Sequence, residues 1–168
     1  FGKLLAGGRT VDKDGMPTIR SDTTTAAGHY EEVIRLDPGF PKAYYNLARI
    51  QKELGKTAAA RKNLLAAIRL DPGYSKAHFL LALVHADSNA GNKAEYHYLQ
   101  SIEHFRENPE AHFHYGLLLA NRGNFKAAKA NFRLAIKYAS EHAQAHYHLA
   151  QTLVELGELK KARDHFLK

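Results

Sequence analysis

The stretch PKAYYNLARIQKELGKTAAARKNLLAAIRLDPGY, residues 41–74, contains the pattern that decides the fold. Its first half carries apolar residues at helical spacing and stops at Gly55, because glycine commonly follows the end of a helix. Its second half resumes the helical pattern and closes on Asp71-Pro72-Gly73, where proline ends a helix. The blocks that follow with the same 34-residue period are residues 75–108, 109–142 and 143–168.

Equivalent positions of the four blocks carry equivalent residues. The third position is always alanine: Ala43, Ala77, Ala111 and Ala145. The twentieth is alanine too: Ala60, Ala94, Ala128 and Ala162. The twenty-fourth is large: Leu64, Tyr98, Phe132 and Phe166. A helix pair that cannot bury its apolar face alone must stack on a copy of itself. We therefore predict an all-α protein, a right-handed α-solenoid of antiparallel helix pairs.

The blocks differ in their turns. Gly123 and Gly157 take the place of Gly55 in the third and fourth blocks. The second block has Asn89 at this position instead, and Arg106 replaces the closing proline. Because asparagine also tolerates a left-handed backbone, we expect the turn to survive.

The pattern becomes incomplete at both ends of the chain. Residues 24–40 match the second helix of a partial repeat and end on Leu36-Asp37-Pro38. Residues 1–23 show no helical stripe, and we interpret them as an irregular segment or a degenerate half repeat, with a small hairpin as an alternative. The last block, 143–168, is truncated in its second helix, and we interpret the chain as part of a longer protein.

Composition excludes several classes of protein. The 168 residues are 45% hydrophobic and 24% charged, which is typical of one globular domain. There are no cysteines, hence no disulfide or thiolate site. No apolar run is long enough for a membrane span, and no signal peptide opens the chain. The sequence does not choose a compartment, and both the cytoplasm and the periplasm fit it.

This pattern resembles the tetratricopeptide repeat family, over residues 24–168. That family favours a large residue at position 4, leucine at position 7 and a small residue at position 8. Position 4 is Tyr44, His78, His112 and His146. Position 7 is Leu47, Leu81, Tyr115 and Leu149. Position 8 is Ala48, Ala82, Gly116 and Ala150. The resemblance implies a binding protein and not an enzyme, and such repeats serve many unrelated partners.

The resemblance also implies a concave groove lined by positions 2, 5, 9 and 12 of the first helices. Position 5 is always aromatic: Tyr45, Phe79, Phe113 and Tyr147. Position 9 is Arg49, Leu83, Leu117 and Gln151. Basic residues at the N-terminal end of the groove are Lys42, Lys52 and Lys76. We predict an aromatic ladder that binds an apolar helix or extended segment of another protein, with the basic end attracting an acidic part of it.

Two known groove chemistries of the family do not fit these residues. The clamp that grips a chaperone's C-terminal carboxylate needs lysine and asparagine where this chain has Tyr45 and Arg49. The asparagine ladder of position 6 is met only by Asn46, since the later repeats have Leu80, His114 and His148. We still include Asn46, His114 and His148 among the candidate groove residues.

The 11 histidines raise the question of a metal site. His112 and His114 lie two residues apart, as do His146 and His148, so neither pair points to one side of a helix. We predict no metal site and no cofactor, and we interpret His78, His112 and His146 as packing residues. No nucleophile, phosphate-loop or dinucleotide motif suggests catalysis.

The net charge of +7 is the remaining clue to a partner. Most of the basic residues lie at solvent-facing positions of second helices, so we expect no nucleic-acid binding. The main prediction is a protein–protein interaction scaffold or adaptor. Its alternatives are a groove filled by the chain's own flanking segments, a structural subunit that contacts neighbours through repeat ends or its convex face, and the recognition arm of a longer enzyme.

Overall fold

The computed structural model describes the backbone of residues 19–166 and the side chains of residues 25–166. The described residues form nine α-helices and contain no strand. They are α1 (Ile19–Leu36), α2 (Pro41–Glu53), α3 (Thr57–Leu70), α4 (Ser75–Asp87), α5 (Gly91–His104), α6 (Pro109–Asn121), α7 (Phe125–Tyr138), α8 (Ala143–Glu155) and α9 (Leu159–Phe166). The predicted all-α helical-repeat class is confirmed. The chain divides into two compact units, residues 1–70 and 71–168.

Left-handed residues make the turns inside the helix pairs. Gly55, Gly123 and Gly157 have φ values of 72°, 74° and 75°. Asn89 has a φ of 54° at the equivalent place in α4/α5, so the predicted survival of that turn is confirmed. Such turns reverse the chain within three residues, which makes the two helices of each pair antiparallel neighbours.

Helix α1 begins at Ile19, so its first turn overlaps the segment 1–23 that the sequence suggests is irregular. The earlier part of that segment, including the alternative of a hairpin, lies outside the described residues. The helix ends at Leu36, immediately before Asp37-Pro38, as the repeat pattern predicts. In the first unit, α1 packs against α2, and α2 pairs with α3.

Small residues let the paired helices approach closely. In the first unit, the buried side chains of α2 and α3 include Ala48, Ala60 and Leu64. In the second unit, Ala82, Ala94 and Tyr98 form one buried cluster of α4 and α5. The alanines occupy positions 8 and 20 of their repeats, and Leu64 and Tyr98 occupy position 24.

Helices α6 and α7 pack closely against each other at Gly116. Gly116 takes the position that alanine has in the other repeats. A Cβ atom built on Gly116 would lie 2.7 Å from Cε1 of Phe132, whose ring is only 1% exposed. The absent methyl group therefore makes room for the Phe132 ring.

Each position-four histidine of the second unit contacts the end of the preceding repeat and the second helix of its own repeat. His78, His112 and His146 are all buried. Their Nε2 atoms lie 2.9–3.0 Å from the carbonyl oxygens of Pro72, Arg106 and Ser140, six residues earlier. Their Nδ1 atoms lie 3.0–3.1 Å from His97, Asn131 and His165, nineteen residues later. The interpretation as packing histidines with satisfied polar atoms therefore matches their surroundings.

Candidate functional site

The candidate site is the side of the first helices that carries positions 2, 5, 9 and 12. In the first unit these positions belong to α2. Lys42 and Arg49 are exposed, whereas Tyr45, Asn46 and Lys52 are half-buried. The first unit thus presents cationic side chains on this face of α2, as the sequence predicts for the N-terminal groove residues.

In the second unit the same face belongs to α4, α6 and α8. Leu83 and Leu117 are half-buried, and Gln151 is exposed. Lys76, at the first turn of α4, is exposed to solvent. Leucine side chains at position 9 therefore remain partly accessible to a ligand in two successive repeats.

Phe113 departs from the predicted aromatic ladder because it is only 3% exposed. The ring packs against Phe132 of α7, with ring centroids 6.0 Å apart. The rings of His142 and His148 lie 4.7 Å and 5.7 Å from it. The prediction of Phe113 as a free groove anchor is therefore corrected: the N-terminal part of α8 covers this residue.

Phe113 belongs to one of two equivalent ring triads, and Phe79, at the same place in the other triad, is half-buried. Each triad combines position 5 and position 24 of one repeat with the position-6 histidine of the next. The first ring triad is Phe79, Tyr98 and His114, with His114 at 5.6 Å from Phe79 and 6.5 Å from Tyr98. The second ring triad is Phe113, Phe132 and His148, with His148 at 5.7 Å and 6.0 Å from the two phenylalanines. His114 and His148 thus serve as joints between successive repeats.

The position-6 histidines stack on their neighbours as aromatic rings. His114 lies nearly parallel to Tyr98, at an interplanar angle of 9°, and His148 lies at 23° to Phe132. Burial lowers the pKa of His148 below its usual value, so its neutral form is favoured at pH 7. A neutral imidazole packs in such a cluster without the cost of burying a charge.

A cleft of about 490 Å³ opens between α6 and α8. Its apolar lining includes Leu117, Ala120, Val154 and Phe166, and its polar lining includes Asn121, Gln151 and Glu155. Leu117 and Gln151 belong to the predicted groove set. Phe125, Asn121 and Phe166 also line this cleft and were not predicted as site residues. Phe166 holds position 24 of its repeat, as Tyr98 and Phe132 do in the two preceding repeats.

Charges of both signs surround the second unit's candidate face. Glu110, at the start of α6, lies 3.9 Å from Nε2 of His114 and 3.5 Å from Nε2 of His142. His142 accepts a hydrogen bond from the backbone N–H of Ala145 at Nδ1, so a neutral His142 carries its proton on Nε2, towards Glu110. This face is therefore not a continuous basic stripe, unlike an electrostatic surface for nucleic acid.

The histidines form no chelating set within residues 25–166. No group of three or more metal-ligating side chains in the described part of the chain is arranged to hold a metal ion. Nor is any helix among the described residues long and apolar enough to cross a membrane.

The other hydrogen-bond partner of His78 determines which ring donates in the hydrogen bond between His78 and His97. Because the carbonyl oxygen of Pro72 can only accept, Nε2 of neutral His78 carries the proton and its Nδ1 accepts. Nδ1 of His97 must then donate across the 3.1 Å gap. Protonation of His78 would require His97 to change its tautomer, and protonation of both rings would place two donors against each other.

Acid is therefore expected to destabilise the protein. Burial, followed by the nearby His78 and His85, lowers the pKa of His97 to about 4, and burial lowers the pKa of His78 as well. Unfolded histidines titrate near a pKa of about 6.5. As the pH falls from about 6.5 towards 4, the unfolded chain binds protons that these folded groups do not, and the free energy of unfolding decreases. The check is the Tm at pH 7.5 and pH 5.0.

His97→Asn is the matched variant for this prediction, since the chain already pairs His112 with Asn131 at the equivalent position. We expect the Tm of the variant to fall less than the Tm of the parent chain between pH 7.5 and pH 5.0. An equal loss in both proteins would exclude the histidine pair as the cause.

The geometry defines the class of the protein: an all-α helical-repeat protein whose helix pairs recur every 34 residues. Comparison with family models gives the same answer. A tetratricopeptide repeat model matches residues 29–62, and a model of anaphase-promoting complex, cyclosome, subunit 3 matches residues 87–168. The resemblance of the chain to the tetratricopeptide repeat family is therefore confirmed. Proteins with such repeats are interaction scaffolds and are generally not enzymes.

Solved structures share this fold. A crystal structure of MamA superposes with a TM-score of 0.78 at 18% identity, over 88% of this chain and 86% of that one. MamA from Desulfovibrio magneticus RS-1 gives 0.76 at 18% identity, over 88% and 84%. YrrB gives 0.70 at 21% identity, over 87% and 75%. Comparison with curated protein sequences finds no match.

Proposed function

We propose that this chain is a protein-binding module whose first helices hold an apolar helix or extended segment of a partner protein. The observation that carries the proposal is the cleft of about 490 Å³ between α6 and α8, with its apolar walls and a few polar groups. Concave sites of this composition are typical of ligand binding. Phe113 contributes by holding this wall in place and does not contact the ligand.

Partly accessible leucines supply the apolar contact area in this proposal. Leu83 packs beside the buried cluster of α4 and α5, and Leu117 beside that of α6 and α7. Each is only half-buried and retains exposed surface. A partner that covers such side chains gains affinity by removing apolar area from water.

The polar groups give the bound segment its orientation. Asn121 and Gln151 offer amide donors and acceptors to a peptide backbone or a polar side chain. In the second unit, the exposed cation Lys76 favours an acidic stretch in the partner; taken by itself, α2 of the first unit has the same preference through Lys42 and Arg49. Such charges mainly set association rate and orientation.

A structural neighbour supports the proposal. YrrB is described as a tetratricopeptide repeat protein with an unusual peptide-binding site. We infer by analogy that this chain also binds a peptide segment, with a different set of groove residues.

A peptide selection tests the function. A library of displayed 15-residue peptides is selected on the 168-residue chain, and the affinity of the best sequences is measured by fluorescence anisotropy. We expect sequences with apolar residues at helical or alternating spacing. A Leu83→Gln/Leu117→Gln variant, shown by circular dichroism to remain folded, is expected to bind about tenfold more weakly or worse.

Leu99→Gln is the control for this experiment, because Leu99 is an exposed leucine of the second helix α5 and lies outside the candidate face. It should leave the affinity unchanged. Selected peptides that respond to Leu99→Gln and not to the double variant would refute the groove as the binding surface.

A further inference from the structure

Positive charge is unevenly divided between the helices of the pairs α6/α7 and α8/α9. The second helices, α7 and α9, together carry seven lysines and arginines and a single carboxylate, Asp164. The first helices, α6 and α8, carry no lysine or arginine, and each has one glutamate. The positive charge of these two repeats therefore lies on the helices that do not supply groove positions 2, 5, 9 and 12.

Helix α7 presents its positive charge along one side. Lys126, Arg133 and Lys137 are exposed, and their spacings of seven and four residues place them on the same face of the helix. These three residues form the α7 stripe, which is about 16 Å long at a rise of about 1.5 Å per residue. No aspartate or glutamate occurs on α7.

The α7 stripe is not a requirement of the repeat. Its residues occupy positions 18, 25 and 29 of their repeat, and the same positions of α5 are Asn92, Leu99 and Glu103. A helix pair of the same unit thus folds without lysine or arginine at these places. The concentration of positive charge is therefore a property of α7 itself.

A cleft of about 230 Å³ lies beside the α7 stripe and reaches α9. Arg133 of the stripe lines this cleft, together with Lys129 and Lys161. Two buried leucines of α8, Leu149 and Leu153, form its floor. A cleft of this size accepts the side chain of an aspartate or glutamate and surrounds it with cations.

The carboxylates of this cleft are already engaged within the chain. Glu158 lies 2.7 Å from Nζ of Lys129 and 2.7 Å from Nζ of Lys161, and each of its two oxygens takes one lysine. Asp164 lies 3.6 Å from Arg163. Among the described residues, no ion pair with a carboxylate neutralises the α7 stripe.

We propose that the α7 stripe and the adjoining cleft bind an acidic segment of a partner protein. One carboxylate of the segment enters the cleft beside Arg133, whose guanidinium can donate two parallel hydrogen bonds to it. Further carboxylates lie along Lys126 and Lys137. The position of Glu158 between two lysines shows how a carboxylate is held on this face.

The lining residues favour an acidic peptide over other polyanions. The α7 stripe contains no aromatic side chain on which the bases of a single-stranded nucleic acid could stack. None of the exposed large apolar side chains of residues 25–166 lies on α7, so this helix has nothing to insert into a lipid surface. The surface also shares no residue with the cleft between α6 and α8, so this proposal does not depend on the proposed function.

A binding experiment with a synthetic acidic peptide tests the proposal. The probe is a fluorescein-labelled 15-residue peptide of alternating glutamate and glycine, titrated with the 168-residue chain at low salt, where exposed charges are least screened. Fluorescence anisotropy should show saturable binding. The Lys126→Gln/Arg133→Gln/Lys137→Gln variant, shown by circular dichroism to remain folded, should bind about tenfold more weakly or worse.

A charge-matched variant is the control. Lys42→Gln/Arg49→Gln/Lys76→Gln removes the same number of positive charges from the candidate groove residues. We expect it to change the affinity for the acidic peptide by less than about twofold. The Leu83→Gln/Leu117→Gln variant should also bind this peptide as the parent does, so the groove test and this test fail independently.

Three results would overturn the proposal. Absence of saturable binding at millimolar peptide would be the first. Equal weakening by the two charge-matched variants would be the second, since it would assign the binding to net charge alone. Tighter binding of a 15-nucleotide oligothymidylate, or of phosphatidylserine vesicles, than of the acidic peptide would be the third, and it would assign the α7 stripe to nucleic acid or to a membrane surface.

Discussion

Phe132→Ala is expected to lower the free energy of unfolding by about 3–5 kcal/mol, the usual cost of truncating a fully buried phenylalanine. The Phe132 ring is 1% exposed and joins α7 to both neighbours in its triad. Its removal leaves a cavity against Gly116, where the backbone has no side chain to fill the space. Urea unfolding followed by circular dichroism measures the change.

Phe166→Ala is the matched control, since Phe166 occupies the same repeat position but is 49% exposed. We expect it to cost less than about 1 kcal/mol. If both variants lower the free energy of unfolding equally, burial by the following helix does not determine how much position 24 contributes. The ring triads would then add nothing to stability.

Gly116→Ala is expected to destabilise the protein by up to about 2 kcal/mol, although alanine is the better helix former. The helix gains about 1 kcal/mol from the substitution. The added Cβ would lie 2.7 Å from a buried ring atom of Phe132, and overpacking of this kind costs about 1–3 kcal/mol or slightly more. Chemical unfolding of the single variant shows whether the free energy of unfolding falls or rises.

A double-mutant cycle with Phe132→Leu isolates this contact. The first repeat already combines Ala48 with Leu64 at these two positions, both fully buried. The double variant would reproduce that pairing of alanine with leucine, so the loss for the pair should be smaller than the sum of the single losses by about 0.5–3 kcal/mol. Strictly additive losses would show that the clash is relieved elsewhere.

Most of the fold was predictable from the sequence because the same helix-pair pattern occurs in four consecutive blocks. Turn residues illustrate this: a left-handed backbone admits few residue types, so Gly55, Asn89, Gly123 and Gly157 are recognisable without a structure. The start of α1 at Ile19 was not predictable, because residues 20–23 are polar and continue no apolar stripe from Ile19.

The candidate site was less predictable, and position 5 shows why. Phe113 and Tyr147 have the same place in the repeat, yet one is buried and the other is half exposed. The difference depends on whether a following helix brings its histidine onto the ring, which is a property of two repeats together. When each repeat is read separately, Phe113 is therefore predicted to be an accessible groove residue, although it packs between two repeats. Leu83 and Leu117 are half-buried, between these two cases.

The most direct test of the central claim, that the first helices bind a partner segment, is to map the bound peptide by NMR. Backbone amide shifts of the ¹⁵N-labelled chain are recorded during titration with the tightest peptide from the selection. We predict that the largest changes in residues 71–166 fall on α4, α6 and α8, around Leu83, Leu117 and Gln151. Changes confined to the outer faces of α5 and α7, around Tyr96, Leu99 and Arg133, would contradict the account.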